Sequence, residues 1–276
     1  TRTYFAPNAG NEDGHDNFQY GLFNRIPYLT EEEIALFGKD DSYCNKTHYT
    51  PDFGIILDKG IDGFRVDLAG HLIKGAVKFD ENKPYDDSDE GLDGLKWFWG
   101  KMINTIKSEY KDKVFIAEWV VPQKSIAKCG FDMDFLTHDT FAFDELYRNE
   151  KGLNLAPYYE RGDNYFSANG KGTLENFVKY IEYLYERLGD KGMFTAATGT
   201  HDEVRMPTGK SPDLVKCIFA FMLTLKHVPM IYYGDELGIE HNYNVSKDGG
   251  GIRTGARTPM QWSSDENAGF TTGKPW

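Results

Sequence analysis

Cysteine is scarce: Cys44, Cys129 and Cys217 stand far apart in 276 residues, with no CxxC pair and no histidine at zinc-finger spacing. An odd, scattered set excludes a disulfide frame or a zinc site and reads as buried thiols. Basic charge is also short, with 31 Lys and Arg against 43 Asp and Glu and a formal net charge of −12. No stretch of lysine and arginine is dense enough to follow a phosphate backbone, so nucleic acid is not an expected partner. No run of about 18 apolar residues could span a bilayer, and no basic segment leads into an apolar one as in a secretory signal, so no membrane partner is expected. The compartment stays open, because the chain begins at Thr1 without a methionine and reads as an excised piece. A repeat of roughly 20 to 50 residues, a GxGxxG turn and a Walker A loop are all missing.

What is present is globular. With 40% hydrophobic and 15% aromatic residues, the chain has material for one large α/β domain or two small ones. From Gly60 onward, short apolar runs alternate with helical patterns: GIDGFRVD (60–67), KVFIAEWV (113–120), FDMDFL (131–136), MFTAATGTHD (193–202) and PMIYYGDE (229–236) are strand candidates. Leu95, Phe98, Met102, Ile106 and Tyr110 share one helical face, as do Phe177, Ile181, Leu184 and Leu188. Ser211, Pro212 and Asp213 make a helix start, and the segment to Leu225 is apolar nearly all round, which predicts a well-buried helix.

Strand–helix units with right-handed crossovers build a parallel sheet, and strands that carry polar residues at their C-terminal ends point to a TIM-type barrel over an open doubly wound sheet. Five units are found where a closed barrel needs eight. Residues 1–50 and the tail DGGGIRTGARTPMQWSSDENAGFTTGKPW read as loop. An open five-strand remnant has unpaired edges, so self-association through them is expected.

Asp67 and Glu118 end two successive strand candidates and Asp202 ends a later one, so a barrel would gather them on one rim. Retaining cleavage of a glycosidic bond uses such carboxyls: one attacks the anomeric carbon, and another about 5 Å away protonates the leaving oxygen. Arg65, two residues before Asp67, shares its strand face and would hold it ionised. Glu118 follows the apolar Val114–Ala117 and precedes Trp119, an approach that suits a raised pKa. A structural ion pair is an equally open reading of Arg65 and Asp67 alone.

GFRVDLAGH resembles the fourth-strand nucleophile motif of the α-amylase family, glycoside hydrolase family 13. FIAEW is similar to its fifth-strand acid/base motif, THDEVR to its seventh-strand His-Asp motif, and PMIYYGDELG to its eighth strand. ARTPMQW and NAGFTTGKPW resemble the loop that follows in α-glucosidases, oligo-glucosidases and trehalose synthases. The resemblance implies Asp67 as nucleophile, Glu118 as general acid/base and Asp202 as a third carboxylate that grips sugar hydroxyls. Arg65 would orient Asp67, His201 would bond the sugar, and Arg257 would line the closed end of the subsite; apart from the resemblance, Trp119 is an aromatic adjacent to Glu118 and is expected to stack on a sugar ring. The implied substrate is an α-glucan or malto-oligosaccharide, with exo-acting α-glucosidase favoured over endo-amylase. Transfer to a sugar hydroxyl uses the same intermediate and stays open.

The family's Asn before the His-Asp pair is Thr200 here, and its third-strand D-x-V-x-N-H motif is missing. By the same resemblance, residues 1–50 are the remnant of the irregular domain inserted after the third strand. Residues 51–248 would hold strands four to eight, and 249–276 the loop after the eighth. No cofactor is implied. In calcium-dependent members a histidine at His71 lends a backbone carbonyl to calcium, but a plain loop histidine is the simpler reading. The run DENKPYDDSDE (80–90) reads as a solvated loop rather than a cation site. His138 and Asp139 invite a metal-hydrolase reading, against which a helix-start role for Asp139 is simpler. A non-catalytic subunit of the family would have lost the carboxylates that this chain keeps.

Overall fold

The computed structural model describes residues 57, 60–71, 83–137, 143, 146, 164–167, 172–245 and 251–273. Residues 1–50, with Cys44 among them, and His138 and Asp139 lie outside them, as do the expectations that rest on these positions. The described residues fall into two units. One runs to Asp134 and includes Arg187–Met193; the other holds Phe135–Glu186 and Phe194 onward.

In the first unit, β1 (Gly63–Val66), α1 (Asp93–Glu109), β2 (Val114–Ala117) and α2 (Pro122–Cys129) alternate, and β3 (Met133–Leu136) begins. β1 pairs with β2 in parallel, Arg65 opposite Ile116, and β2 pairs with β3, Ala117 opposite Asp134. Gly63 is required: a Cβ there would overlap the backbone of Val114 on the neighbouring strand. α1 buries Leu95, Phe98, Trp99, Met102, Ile103 and Ile106, the stripe expected of a helix lying on a sheet. α2 starts with Pro122 in its first turn and stops at Gly130, whose φ of +87° suits a residue without Cβ.

α3 (Glu175–Leu188), which belongs to the second unit up to Glu186, buries Phe177, Tyr180, Ile181, Leu184 and Leu188. It leads to β4 (Met193–Ala197), α4 (Pro212–Thr224) and β5 (Val228–Met230), with β4 and β5 paired in parallel. Strand order follows chain order, as parallel strand–helix repeats with one handedness require. Each strand predicted from sequence is present and shorter than its candidate segment, because the charged ends leave the ladder as turns.

Three expectations are corrected. α4 begins at Ser211, whose hydroxyl accepts from the Leu214 N–H, but it buries only Val215, Ile218 and Met222. Leu223 is 56% exposed, so apolar composition all round did not mean burial all round. Cys217 lies on that helix and is an exposed thiol, whereas Cys129 is buried as expected, and burial pushes its thiol up to about 12. The acidic run is no freely solvated loop either. Asp86 bonds Lys124 at 2.7 Å, Asp89 bonds Lys128 at 2.8 Å and Lys96 at 2.9 Å, and Asp87 bonds Arg187 at 2.8 Å. Lys124 and Lys128 project from α2 and Lys96 from α1, so the run is strapped across both helices. Lysine hydrogen bonds hold Asp86 far below the carboxylate range and Asp89 at about 2.

Candidate active site

β1 ends at Val66, and the chain turns at once through Asp67 and Leu68. Leu68 has φ +46°, a left-handed conformation that side chains rarely adopt. The ladder continues past the strand ends, with the Glu118 N–H bonding the Val66 carbonyl at 2.9 Å and the Ala69 N–H bonding the Glu118 carbonyl at 3.2 Å. Asp67 and Glu118 are thereby brought side by side.

Arg65 projects from β1 between them. Its guanidinium pairs with Asp67 at 2.5 Å and also with Glu118. Burial, then a hydrogen bond that the protonated Glu118 donates to Asp67, raise the Glu118 carboxyl to about 7, against the opposing charge of Arg65. At neutral pH this is a group poised to give up or take a proton. The two acids are in hydrogen-bonding contact, closer than the roughly 5 Å of a retaining pair.

Trp119 does not offer a stacking face. It is 4% exposed, its ring lies against Gly70, and a Cβ on Gly70 would overlap the indole. This corrects the placement of Trp119 beside a sugar: the residue after Glu118 turns inward and packs under the 67–71 turn. The Trp99 indole N–H bonds the Ala69 carbonyl at 3.0 Å and fixes the same turn from α1. His71 closes it in a short 3-10 helix, and among the described residues no group of three His, Cys, Asp or Glu could hold a metal.

The second unit presents its own cluster. Past β4, the Asp202 N–H bonds the Thr200 hydroxyl at 3.1 Å, so the threonine that departs from the family motif makes a tight polar turn. Asp202 Oδ1 receives Arg257 Nη2 at 2.7 Å and Arg253 Nη1 at 3.0 Å, while His201 Nε2 lies 3.5 Å from Oδ2. Arg257 Nε also donates to the His201 carbonyl at 2.8 Å. Burial works to raise the Asp202 carboxyl, but His201 and the two arginines outweigh it and hold the group below its usual value. The arginine segment is itself positioned by hydroxyls of the β5 turn: Tyr232 donates to Ala256 at 3.0 Å and Tyr233 to Thr258 at 2.6 Å.

Arg65, Asp67 and Glu118 are thus gathered in one unit, and His201, Asp202 and Arg257 in the other. Sequence reasoning missed Arg253, which stands four residues before Arg257, just ahead of the motif that drew attention. It also missed two fully buried acids, Asp134 and Asp235. Asp134 interrupts the apolar candidate FDMDFL and Asp235 stands at the end of PMIYYGDE, and a buried charge at either place signals a built polar network. Asp235 Oδ2 accepts from the Thr198 hydroxyl at 2.8 Å and Oδ1 from Arg205 at 3.2 Å. Arg205 is fully buried, donates to the Tyr233 carbonyl at 2.6 Å and lies over the Tyr232 and Tyr233 rings. Burial nevertheless raises Asp235 to about 7, against the Thr198 and Arg205 bonds that lower it.

The family description "Alpha amylase, catalytic domain" matches residues 40–276. The chain is 31% identical over 241 residues to the trehalose synthase/amylase of Mycobacterium tuberculosis, covering 79% of this chain and 37% of that protein. It is 23% identical over 260 residues to the oligo-1,6-glucosidase of Parageobacillus thermoglucosidasius, covering 80% and 45%. A crystal structure of a trehalulose synthase mutant with Tris aligns at a TM-score of 0.57 and 22% identity, over 90% of this chain and 48% of that one, a likeness that speaks for the fold. The chain spans less than half the length of these relatives.

Proposed function

The chain belongs to the alpha-amylase catalytic-domain family, a family of TIM barrels, over residues 40–276, and on that premise we propose that it performs retaining chemistry on α-glucosidic bonds of oligosaccharides. In this reading the Asp67 carboxylate attacks the anomeric carbon as the glycosidic C–O bond breaks, and the proton of Glu118 passes to the leaving oxygen. Glu118, now a carboxylate, takes a proton from water, whose oxygen attacks the same carbon and releases Asp67. Arg65 orients Asp67. Asp202, His201 and Arg257 hold sugar hydroxyls, with Arg253 beside Asp202 as an added partner. A sugar hydroxyl in place of water would give transfer, the outcome that the names of the trehalose synthase relatives suggest.

The observation that carries the reading is the Glu118 carboxyl, raised to about 7 and hydrogen-bonded to an Asp67 that is paired with Arg65. One carboxyl is kept protonatable near neutral pH beside another held by a cation, and that division of roles is what the two chemical steps require.

The test is mass spectrometry after a mechanism-based fluoroglucoside. A covalent label on the peptide of Asp67 is expected, together with a loss of about 10²- to 10⁴-fold in p-nitrophenol release from an α-glucoside in Glu118→Gln. Measured in the chain joined to the three preceding strands, an unlabelled protein, or activity that vanishes with chelator while Glu118→Gln stays active, defeats it. The reading assigns β1 to β5 to barrel strands four to eight within 51–248, 249–276 to the loop after the eighth, and 1–50 to the insertion after the third. It includes self-association through sheet edges, which sedimentation would detect. Comparing the chain alone with the chain joined to the three preceding strands tests that assignment, and activity is expected in the joined form.

A further inference from the structure

We propose that Asp134, buried on β3, is a positioning residue for Glu118: it fixes the course of the chain in the turn that follows that carboxyl. Asp134 is fully buried and faces back across the sheet to the β2 turn. Its Oδ1 accepts from the N–H groups of Trp119 at 3.1 Å and Val120 at 3.0 Å. Its Oδ2 accepts from the Val121 N–H at 3.1 Å and the Ser125 hydroxyl at 2.5 Å.

Three consecutive peptide N–H groups converge on this one carboxylate, and the backbone between them departs from ordinary strand or helix geometry. Val120 supplies that departure with φ +60°, a conformation that a β-branched residue adopts at a cost. The bond from Trp119 begins one residue after Glu118, whose own peptide is already tied to Val66 and Ala69. Asp134 therefore completes the cage round the Glu118 backbone. If it is lost, Val120 relaxes to negative φ, and the Glu118 side chain swings away from Arg65 and Asp67, the two charged groups that face it.

A rival account makes Asp134 a remote cap of α2. The Val121 and Ser125 contacts fit that account, since both lie at the helix start, but the Trp119 and Val120 contacts lie upstream and serve the turn.

The proposal rests on Glu118 as proton donor, so its experiment reads the carboxyl itself as well as turnover. Glu118 is titrated by infrared difference spectroscopy, its band identified by loss in Glu118→Gln, in the intact protein and in Asp134→Asn. Asparagine keeps one accepting oxygen but presents an amide N–H₂ to the other donors. The expected result is a Glu118 titration displaced by about one pH unit toward the ordinary carboxyl range, with kcat lower by about 10- to 100-fold and KM within about threefold. Ser125→Ala, which removes one bond to Asp134 Oδ2 and leaves those of Trp119, Val120 and Val121, should lower the unfolding midpoint and leave titration and kcat in place. Should Asp134→Asn fail to fold, Asp134→Asn with Val120→Asn is titrated instead: asparagine at 120 eases the strain while the three N–H groups still lose their carboxylate, so a displacement in the same direction but of less than about one pH unit is expected. A folded variant with unchanged titration and kcat and only a lower midpoint would overturn the proposal in favour of the helix cap. If the form joined to the three preceding strands hydrolysed nothing, the proposed chemistry would fall, and the titration would still decide the role of Asp134.

Discussion

Peptide N–H groups of the turn after β2 hold a buried aspartate of β3, whereas side chains of the loop after β4 hold a buried aspartate that follows β5. Asp134 takes the N–H groups of Trp119, Val120 and Val121. Asp235 takes the Thr198 hydroxyl and the Arg205 guanidinium, the two ends of the segment with His201 and Asp202 in its middle. The first region stores backbone strain, since Leu68 and Val120 both have positive φ, while no residue of 198–205 does among the positions described. The second stores buried charge. Both devices hold a carboxyl-bearing turn in place, but they fail differently: peptide donors survive any side-chain change around them, whereas a charged strap can be cut from either end.

The largest effect is expected from cutting the charged strap. Asp235→Ala leaves Arg205 buried without its carboxylate and should cost about 3–5 kcal/mol in urea unfolding. Arg205→Met combined with Asp235→Leu should recover most of that loss, because the pair can be replaced by apolar packing. No second substitution should do the same for Asp134→Ala, whose orphaned donors are backbone N–H groups that every residue but proline carries. Equal recovery in both regions would erase the contrast.

A smaller effect separates the regions by pH. Asp235 and Glu118 each titrate in the folded protein at about 7, above their ordinary values of 3.8 and 4.5. A raised carboxyl binds its proton more tightly when folded, so its contribution is full below the ordinary pKa and is lost as pH rises through the folded one. Stability should therefore fall from about pH 4 to about pH 7 and then level off, by a few kcal/mol at most. Asp86, Asp89 and Asp202, held below 3.8, act only at more acid pH and leave this window clear. The urea midpoint followed across it should lose part of its slope in Asp235→Asn and another part in Glu118→Gln. A midpoint that climbs from pH 4 to 7 would contradict both assignments.

Much of this arrangement was legible in the sequence, and what was not has physical reasons. Alternating strand and helix patterns located all five strands, because apolar periodicity records which face is buried. Arg65 beside Asp67 was readable from the two-residue period of a strand, and the apolar approach to Glu118 foretold its raised proton affinity. The inward turn of Trp119 was not readable, since it follows from Val120 adopting a left-handed conformation that local preference opposes. Asp134 and Asp235 escaped for a related reason: their partners lie 9 to 37 residues away and meet them only through sheet pairing. The exposed face of α4 shows the converse limit, for composition states what a helix could bury and only its neighbours state what it does.

The smallest effect tests the strain itself. At φ +60° a valine is held where asparagine rests more easily, so Val120→Asn should stabilise the protein by about 1 kcal/mol or leave it unchanged, even though it removes apolar surface. The same exchange at Val204, 5% exposed and with no positive φ, should cost about 2–3 kcal/mol through loss of burial and an unmet amide. The two signs are opposite because the side chain at 120 is tolerated by the turn while the one at 204 is required by the core. If denaturant unfolding gave both substitutions the same sign and size, the turn after Glu118 would hold no strain for Asp134 to maintain, and the two regions would be built alike.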